Sequence, residues 1–442
     1  MTEIQIETRE EKKMNKPLQV LRKLGTPFVA AASTLALALG VMAPMQAKAA
    51  DEITFMTPAF LPETLAGFKS AVASWNKSNP NIQVKYIQGD WENMGDKLTT
   101  QFASRTAPDV IHFEANAARL WAKQGYLADL NSLMRPLKTS IPDGSWKTAS
   151  WQGRLYGVPV IDQPYVVFAN VDIFKKAGVA LPTSQSGFSW DEFSALSKKM
   201  TTSTYYGSIF GVARPASPFM IMSGSFGAKW FRGVTTSRAS LRVGNAELEI
   251  PTRVYNMIYK DKSMDPTSLT VRPGAAVAPF VAGKAAMFVA PSFVALDLDT
   301  AAKEKGFNWT TLPMLKGTTQ NQYANPQIFS ISTQSTKKKQ AAQFIQFLMK
   351  DENLIKFGLG DALVPMTSTA LQAAIVAKKS TPGWAQLLAD GGNFTVAPFS
   401  FVPEYDNWRS SVLQPALQLF LQDKISRAEL VKRLEDGWKS LR

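Results

Sequence analysis

The residues able to do chemistry gather at a few expected strand ends and loops. Phe60 follows a strand expected at Ile53–Met56, Trp91 sits beside Asp90 ahead of a helix, and Phe113, Glu114 and Asn116 close a third strand. Asp162, Gln163 and Tyr165 occupy a polar joint between two β-rich runs. Flat rings beside amides and carboxylates suit a polyhydroxylated ligand, whose C–H faces lie on aromatic surfaces and whose hydroxyls need directional partners. The competing reading of each ring is core packing.

Other chemistries find little support. The chain has no cysteine and a single histidine, which excludes disulfides, thiolate catalysis and Cys/His zinc clusters. His112 and Glu114 alternate on a strand and so face one side, but two ligands without a third make a weak metal site, and a structural histidine is the preferred reading. No Walker loop or G-x-S-x-G elbow occurs, and Gly358-Leu359-Gly360-Asp361 lacks the third glycine of a dinucleotide fingerprint, so a turn is expected there. Paired carboxylates for glycoside cleavage leave no signature, because folding sets their separation. No cofactor and no metal are expected.

The elements that must position these residues begin at the joint. Leu155–Val158 and Tyr165–Phe168 read as strands separated by Pro159, Asp162, Gln163 and Pro164. Proline cannot donate to a ladder, so the chain either leaves one sheet for another here or runs as an irregular edge strand. With 442 residues, two domains are the default. Ahead of the joint the order is strand, helix, strand, helix, strand, helix, with helical stripes Leu65, Phe68, Val72, Trp75 and Met94, Leu98, Phe102. That order predicts a mainly parallel α/β sheet. Beyond it, Ser189 and Glu192 form a capping box, while residues 201–250, rich in glycine, give no clear strands.

Net charge is +14. Residues 1–49 hold seven Lys and Arg against four Glu, so 42 basic and 31 acidic residues, a formal +11, remain. The basic residues are dispersed, and Lys337–Lys339 opens an amphipathic helix as a solvated face, which speaks against nucleic acid. Lys12 to Lys23 precede an uncharged stretch from Leu24 to Ala47, and Ala47-Lys48-Ala49 supplies a small-residue cleavage pattern. Residues 1–49 therefore read as a secretory signal peptide cut after Ala49, with a retained anchor as the alternative and Met14 as a possible start. Without a cysteine to lipidate, a periplasmic location is expected.

Several motifs occur in a telling order: Asn79-Pro80-Asn81-Ile82-Gln83-Val84, Ala103-Ser104-Arg105-Thr106-Ala107-Pro108-Asp109-Val110, Gln124-Gly125-Tyr126-Leu127-Ala128-Asp129-Leu130, Tyr156-Gly157-Val158-Pro159, Trp190-Asp191-Glu192-Phe193 and Gly283-Lys284-Ala285-Ala286-Met287. Over residues 51–442 the chain resembles the extracellular solute-binding proteins of ABC transporters, the maltose-binding-like carbohydrate family. One departure is Arg105, where the family usually has glycine in a turn. The resemblance implies an α/β, two-lobed periplasmic-binding-protein fold (type II-like), each lobe a mainly parallel sheet flanked by helices. Residues 50–162 plus 314–361 would form the N-terminal lobe and 163–313 plus 362–442 the C-terminal lobe, with hinge crossings near 162, 313 and 362. It puts Phe113, Asn116 and Gln163 where ligand contacts usually lie. Phe293, after Pro291-Ser292, falls where relatives often place a stacking tryptophan; Tyr405 and Trp408 mark a further stacking region, and Phe219 aligns more loosely.

The expected function is a substrate-binding component of a sugar importer, a monomer that captures a mono- or oligosaccharide by closure and delivers it to an ABC permease and its ATPase. One rival is a binding protein for an anionic ligand such as a uronate, a sugar phosphate or a glycerol phosphodiester, in keeping with the +11 charge. The other is an exported carbohydrate-active enzyme using Glu114 or Glu404.

Overall fold

The computed structural model describes residues 50–442 apart from 185–186, 235–238 and 403. The expected signal peptide lies outside the described residues, and among those described no helix is long and apolar enough to cross a membrane.

Strands β1 (Asp51–Thr57), β2 (Ile82–Gln88) and β3 (Val110–Glu114) alternate with helices Pro62–Ser78, Met94–Ala103 and Ala115–Lys123. The expected helical stripes are largely what packs: Phe68, Val72 and Trp75 from the first helix and Met94, Leu98 and Phe102 from the second are buried in the first lobe's core. The turn after the second helix keeps its left-handed geometry without glycine, since Arg105 takes φ 59°.

The joint divides two sheets. β4 (Val158–Asp162) belongs to the first sheet and β5 (Tyr165–Asn170) to the second, with only Gln163 and Pro164 between them. The first strand of the joint thus starts at Val158, where the sequence predicts an end. Pro159 sits in an interior strand because the register slips there, Gln327 facing Ile161 and Ile328 facing Pro159, and a bulge relieves the ladder of one donor.

The second sheet adds β6 (Tyr206–Phe210), β7 (Ala285–Pro291) and β8 (Trp309–Leu312), in the order β8-β5-β7-β6. The chain then returns through β9 (Gln327–Ile331) and β10 (Val364–Pro365) to complete the first sheet, in the order β10-β4-β9-β3-β1-β2. A mainly parallel sheet was the expectation; both sheets are mixed. β1 is parallel to β2 and β3, but β9 is antiparallel to β3 and β4, and β5 is antiparallel to β7 and β8. The right-handed helical crossover that enforces parallel pairing is missing wherever a strand arrives from the other lobe.

β5 is buried on both faces, with Val167 and Ala169 in one cluster and Val166 and Phe168 in another, so the second lobe has a core on each side of its sheet. In the stretch 201–250 the glycines that blur the pattern are close-approach positions. A Cβ on Gly207 would lie 1.7 Å from the Ser197 carbonyl oxygen, and one on Gly211 2.7 Å from the Pro273 nitrogen. The segment expected to cross at Gly358–Pro365 instead ends helix Asp351–Asp361 and returns as β10 to the first sheet, beyond the boundary expected at 361. Gly360 is there because the backbone of Thr64 on the first helix packs against it, 2.9 Å from where a Cβ would stand.

Candidate functional site

Elements of both lobes meet at one cavity. The carboxyl end of β3 supplies Glu114, the β2-to-helix loop supplies Trp91, the loop after β1 supplies Phe60, and the joint supplies Asp162, Gln163 and Tyr165. The second lobe contributes Phe293, just after β7, and Ser217. These residues line a pocket of about 320 Å³. Strand ends are where an open α/β sheet leaves room for ligands. A trough of about 740 Å³ shares Trp91, Glu114 and Ser217 with it and continues along Phe113, Arg214, Asp406 and Arg409.

Seven of the twelve expected residues thus line the deep pocket, and Phe113 lines the trough. Phe113 stacks on Trp91 (5.6 Å between centroids, planes 24° apart), giving the cleft a continuous aromatic wall. Phe60 is 59% exposed at the edge of the pocket.

The other four are corrections. Asn116 is buried on helix Ala115–Lys123 and lines neither cavity. Phe219, Tyr405 and Trp408 belong to the hydrophobic core of the second lobe. Trp408 is fully buried, donates its indole N–H to the Leu434 carbonyl (3.2 Å) and meets Trp230 and Phe231 edge-on. The reason is helical phase: residues 405 and 408 share the inward face of helix Tyr405–Trp408, while Asp406, Asn407, Arg409 and Ser410 face the trough.

Sequence reasoning missed Asn325 and Gln327, which enter the pocket at the start of β9, and Asp361 at the end of its helix. The sequence offers no signal for the first two, which are polar residues in a polar run. Asp361 lay in the glycine string read as a turn.

The site is acidic, and its carboxyl groups are largely buried. Asp162 accepts the Gln163 N–H at 2.8 Å through Oδ1, while its Oδ2 is buried with no donor in hydrogen-bonding geometry. Burial pushes its pKa up to about 7, offset only in part by the Gln163 and Asn325 N–H groups. Burial also raises Glu114, against the pull of Arg409, and lifts Asp361 to about 6 although Thr64 donates to it. The Asn325 amide reaches Glu114 Oε2 only at 3.4 Å, and the Oδ1 of Asn325 is buried without a donor. No Lys, Arg or His lines the deep pocket. Arg409, in the trough, is held by Asp406 at 2.5 Å and donates to Ser217 at 2.5 Å. The deep pocket therefore offers no fixed cation to a ligand, whereas the adjoining trough carries Arg214 and Arg409.

His112 takes the structural role. It is buried, its Nδ1 lies 2.8 Å from Thr57 Oγ1, and burial lowers its pKa to about 3. Among the described residues no group of three or more His, Asp or Glu is arranged to hold a metal ion. Across the cleft, Arg272 meets Glu92 at 2.6 Å, Lys123 meets Glu404 at 2.5 Å, and the Arg119 guanidinium lies 4.6 Å from the Phe401 ring centroid.

The chain is similar to an uncharacterized lipoprotein in the oleD 5′ region of Streptomyces antibioticus, 30% identical over 380 residues, covering 86% of this chain and 84% of that one. Among solved structures it is similar to an ABC substrate-binding protein from Listeria monocytogenes in complex with cycloalternan (21% identity, TM-score 0.74, 89% and 99% of the two chains). It is also similar to the GacH receptor of Streptomyces glaucescens, solved unliganded and with acarbose (17% identity, TM-score 0.75, 89% and 99%). At these identities the structural likeness speaks for the two-lobed fold. Residues 61–355 match the family described as bacterial extracellular solute-binding protein, and with most of the sequence matched, the chain belongs to that family.

Proposed function

We propose that this protein is the substrate-binding component of an ABC sugar importer, capturing a mono- or oligosaccharide between its lobes and handing it to a membrane permease and its ATPase. The observation that carries this reading is the cleft itself: rings from both lobes stand beside buried hydrogen-bond acceptors that lack donors. A sugar's hydroxyls would supply those donors, and its C–H faces would lie on Phe60, Trp91 and Phe293. The structural neighbours bound to cycloalternan and acarbose, by their own descriptions, support a carbohydrate ligand.

The mechanism is capture by closure. Residues 50–162 plus 314–361, together with β10, act as one lobe and the rest of 163–442 as the other, hinged at the short crossings. A ligand touching both lobes stabilises the closed form by its differential affinity for it. The protein acts as a monomer, breaks no bond and works in the periplasm after removal of residues 1–49. A thermal-shift screen of sugars followed by small-angle scattering tests the reading. A bound sugar should raise the melting temperature and shrink the radius of gyration, and a sugar that binds with no compaction would refute closure.

A further inference from the structure

The deep pocket holds buried acceptors without donors, and this selects among carbohydrates. Asp162 is 2% exposed, and its Oδ2 is unpartnered in the wall of the pocket. Asn325 Oδ1 is likewise buried without a donor. Glu114 faces the same space with a single long amide contact and Arg409 on its trough side, and Asp361, which accepts from Thr64, completes three carboxyl groups with no cationic side chain among the deep pocket's lining residues. A neutral hydroxyl can donate to one of these oxygens but brings no charge to balance a buried carboxylate, which must then stay protonated or carry a desolvated charge. One ammonium group donates three hydrogen bonds and balances a carboxylate.

Resting on the sugar-capture reading above, we propose that the deep pocket takes a hexosamine unit whose free amino group is protonated and lies against Asp162 and Glu114. The rings Trp91 and Phe293 then hold the sugar face, and the adjoining trough accommodates further units.

Isothermal titration of the mature chain with glucosamine, galactosamine, mannosamine and short glucosamine oligosaccharides tests this. Each is compared with the matching neutral sugar and its N-acetyl form. The free-amine form should bind about tenfold or more tighter than both partners, because charge-assisted hydrogen bonds exceed neutral ones, and the advantage should shrink as salt rises. Asp162→Asn should remove the advantage, with Glu114→Gln as a second variant and thermal melts confirming that each is folded. Equal binding of amine and neutral sugar, or an advantage that survives both substitutions in folded protein, overturns the proposal while leaving sugar capture intact. If no sugar of any kind binds, or spermidine alone does, the sugar-capture reading falls and this proposal with it.

Discussion

The joint at 158–170 and the segment at 404–413 were both expected to bring ligand-binding residues to the cleft, and they differ instructively. At the joint the chain is extended and passes between two sheets, so Asp162, Gln163 and Tyr165 all reach the pocket. In the C-terminal segment the chain is helical, α over Tyr405–Trp408 and π over Arg409–Leu413, and its turn sends Tyr405 and Trp408 inward while Asp406 and Arg409 line the trough. A ring at a family-like position is therefore a cleft residue only where the local backbone points it there. The aromatic wall is built instead from loop residues at strand ends, Phe60, Trp91 and Phe293.

The largest effect that could break this contrast is on Trp408. Trp408→Ala should cost about 3–5 kcal/mol of stability, as for other buried large-to-small changes, seen as a lower midpoint in denaturant. A variant that melts normally yet fails to bind would return Trp408 to the cleft.

Next comes the acid at the joint. Folded Asp162 keeps its proton up to about pH 7, whereas the unfolded chain releases it near about pH 4, so the folded form holds the extra proton between them. Stability is full below the unfolded pKa and falls as pH rises through the folded one; Asp390, also raised by burial to about 7, adds in the same direction, while His112, lowered by burial to about 3, opposes them below about pH 6.5. Thermal melts should accordingly be higher near pH 5 than near pH 8. Asp162→Asn should flatten that slope; an unchanged slope in this variant would show that Asp162 is not the titrating group.

Phe60→Ala sharpens the contrast from the other side. This exposed ring should contribute about three- to tenfold to sugar affinity, with the melting temperature nearly unchanged. A large loss of stability would make Phe60 a packing residue after all.

The smallest expected effect concerns the ion pairs across the cleft. Arg272 and Glu92 are both more than half exposed, and salt screens such pairs, so Arg272→Ala should loosen the closed form only at low ionic strength. Scattering that detects the same opening at high salt would assign the pair a larger role than its exposure allows.

Much of this molecule was legible beforehand. Helical stripes such as Phe68, Val72 and Trp75, the Ser189–Glu192 capping box and the polar break at Asp162–Pro164 are local patterns with local causes, and the structure carries each as expected. The lining residues Asn325, Gln327 and Asp361 left no such mark, and neither did β6. Gly207 and Gly360 were obscure for the same reason, since each is dictated by a backbone carbonyl or amide distant in sequence.

The sequence by itself determined where the chain turns helical, where it breaks between sheets, and that its polar joint carries an acid and an amide, because these follow from spacing and short-range chemistry. Tertiary structure alone decided which rings face the cleft and how deeply its carboxyl groups are buried. Orientation and desolvation depend on how elements far apart in the chain pack together, and no single stretch of residues encodes that.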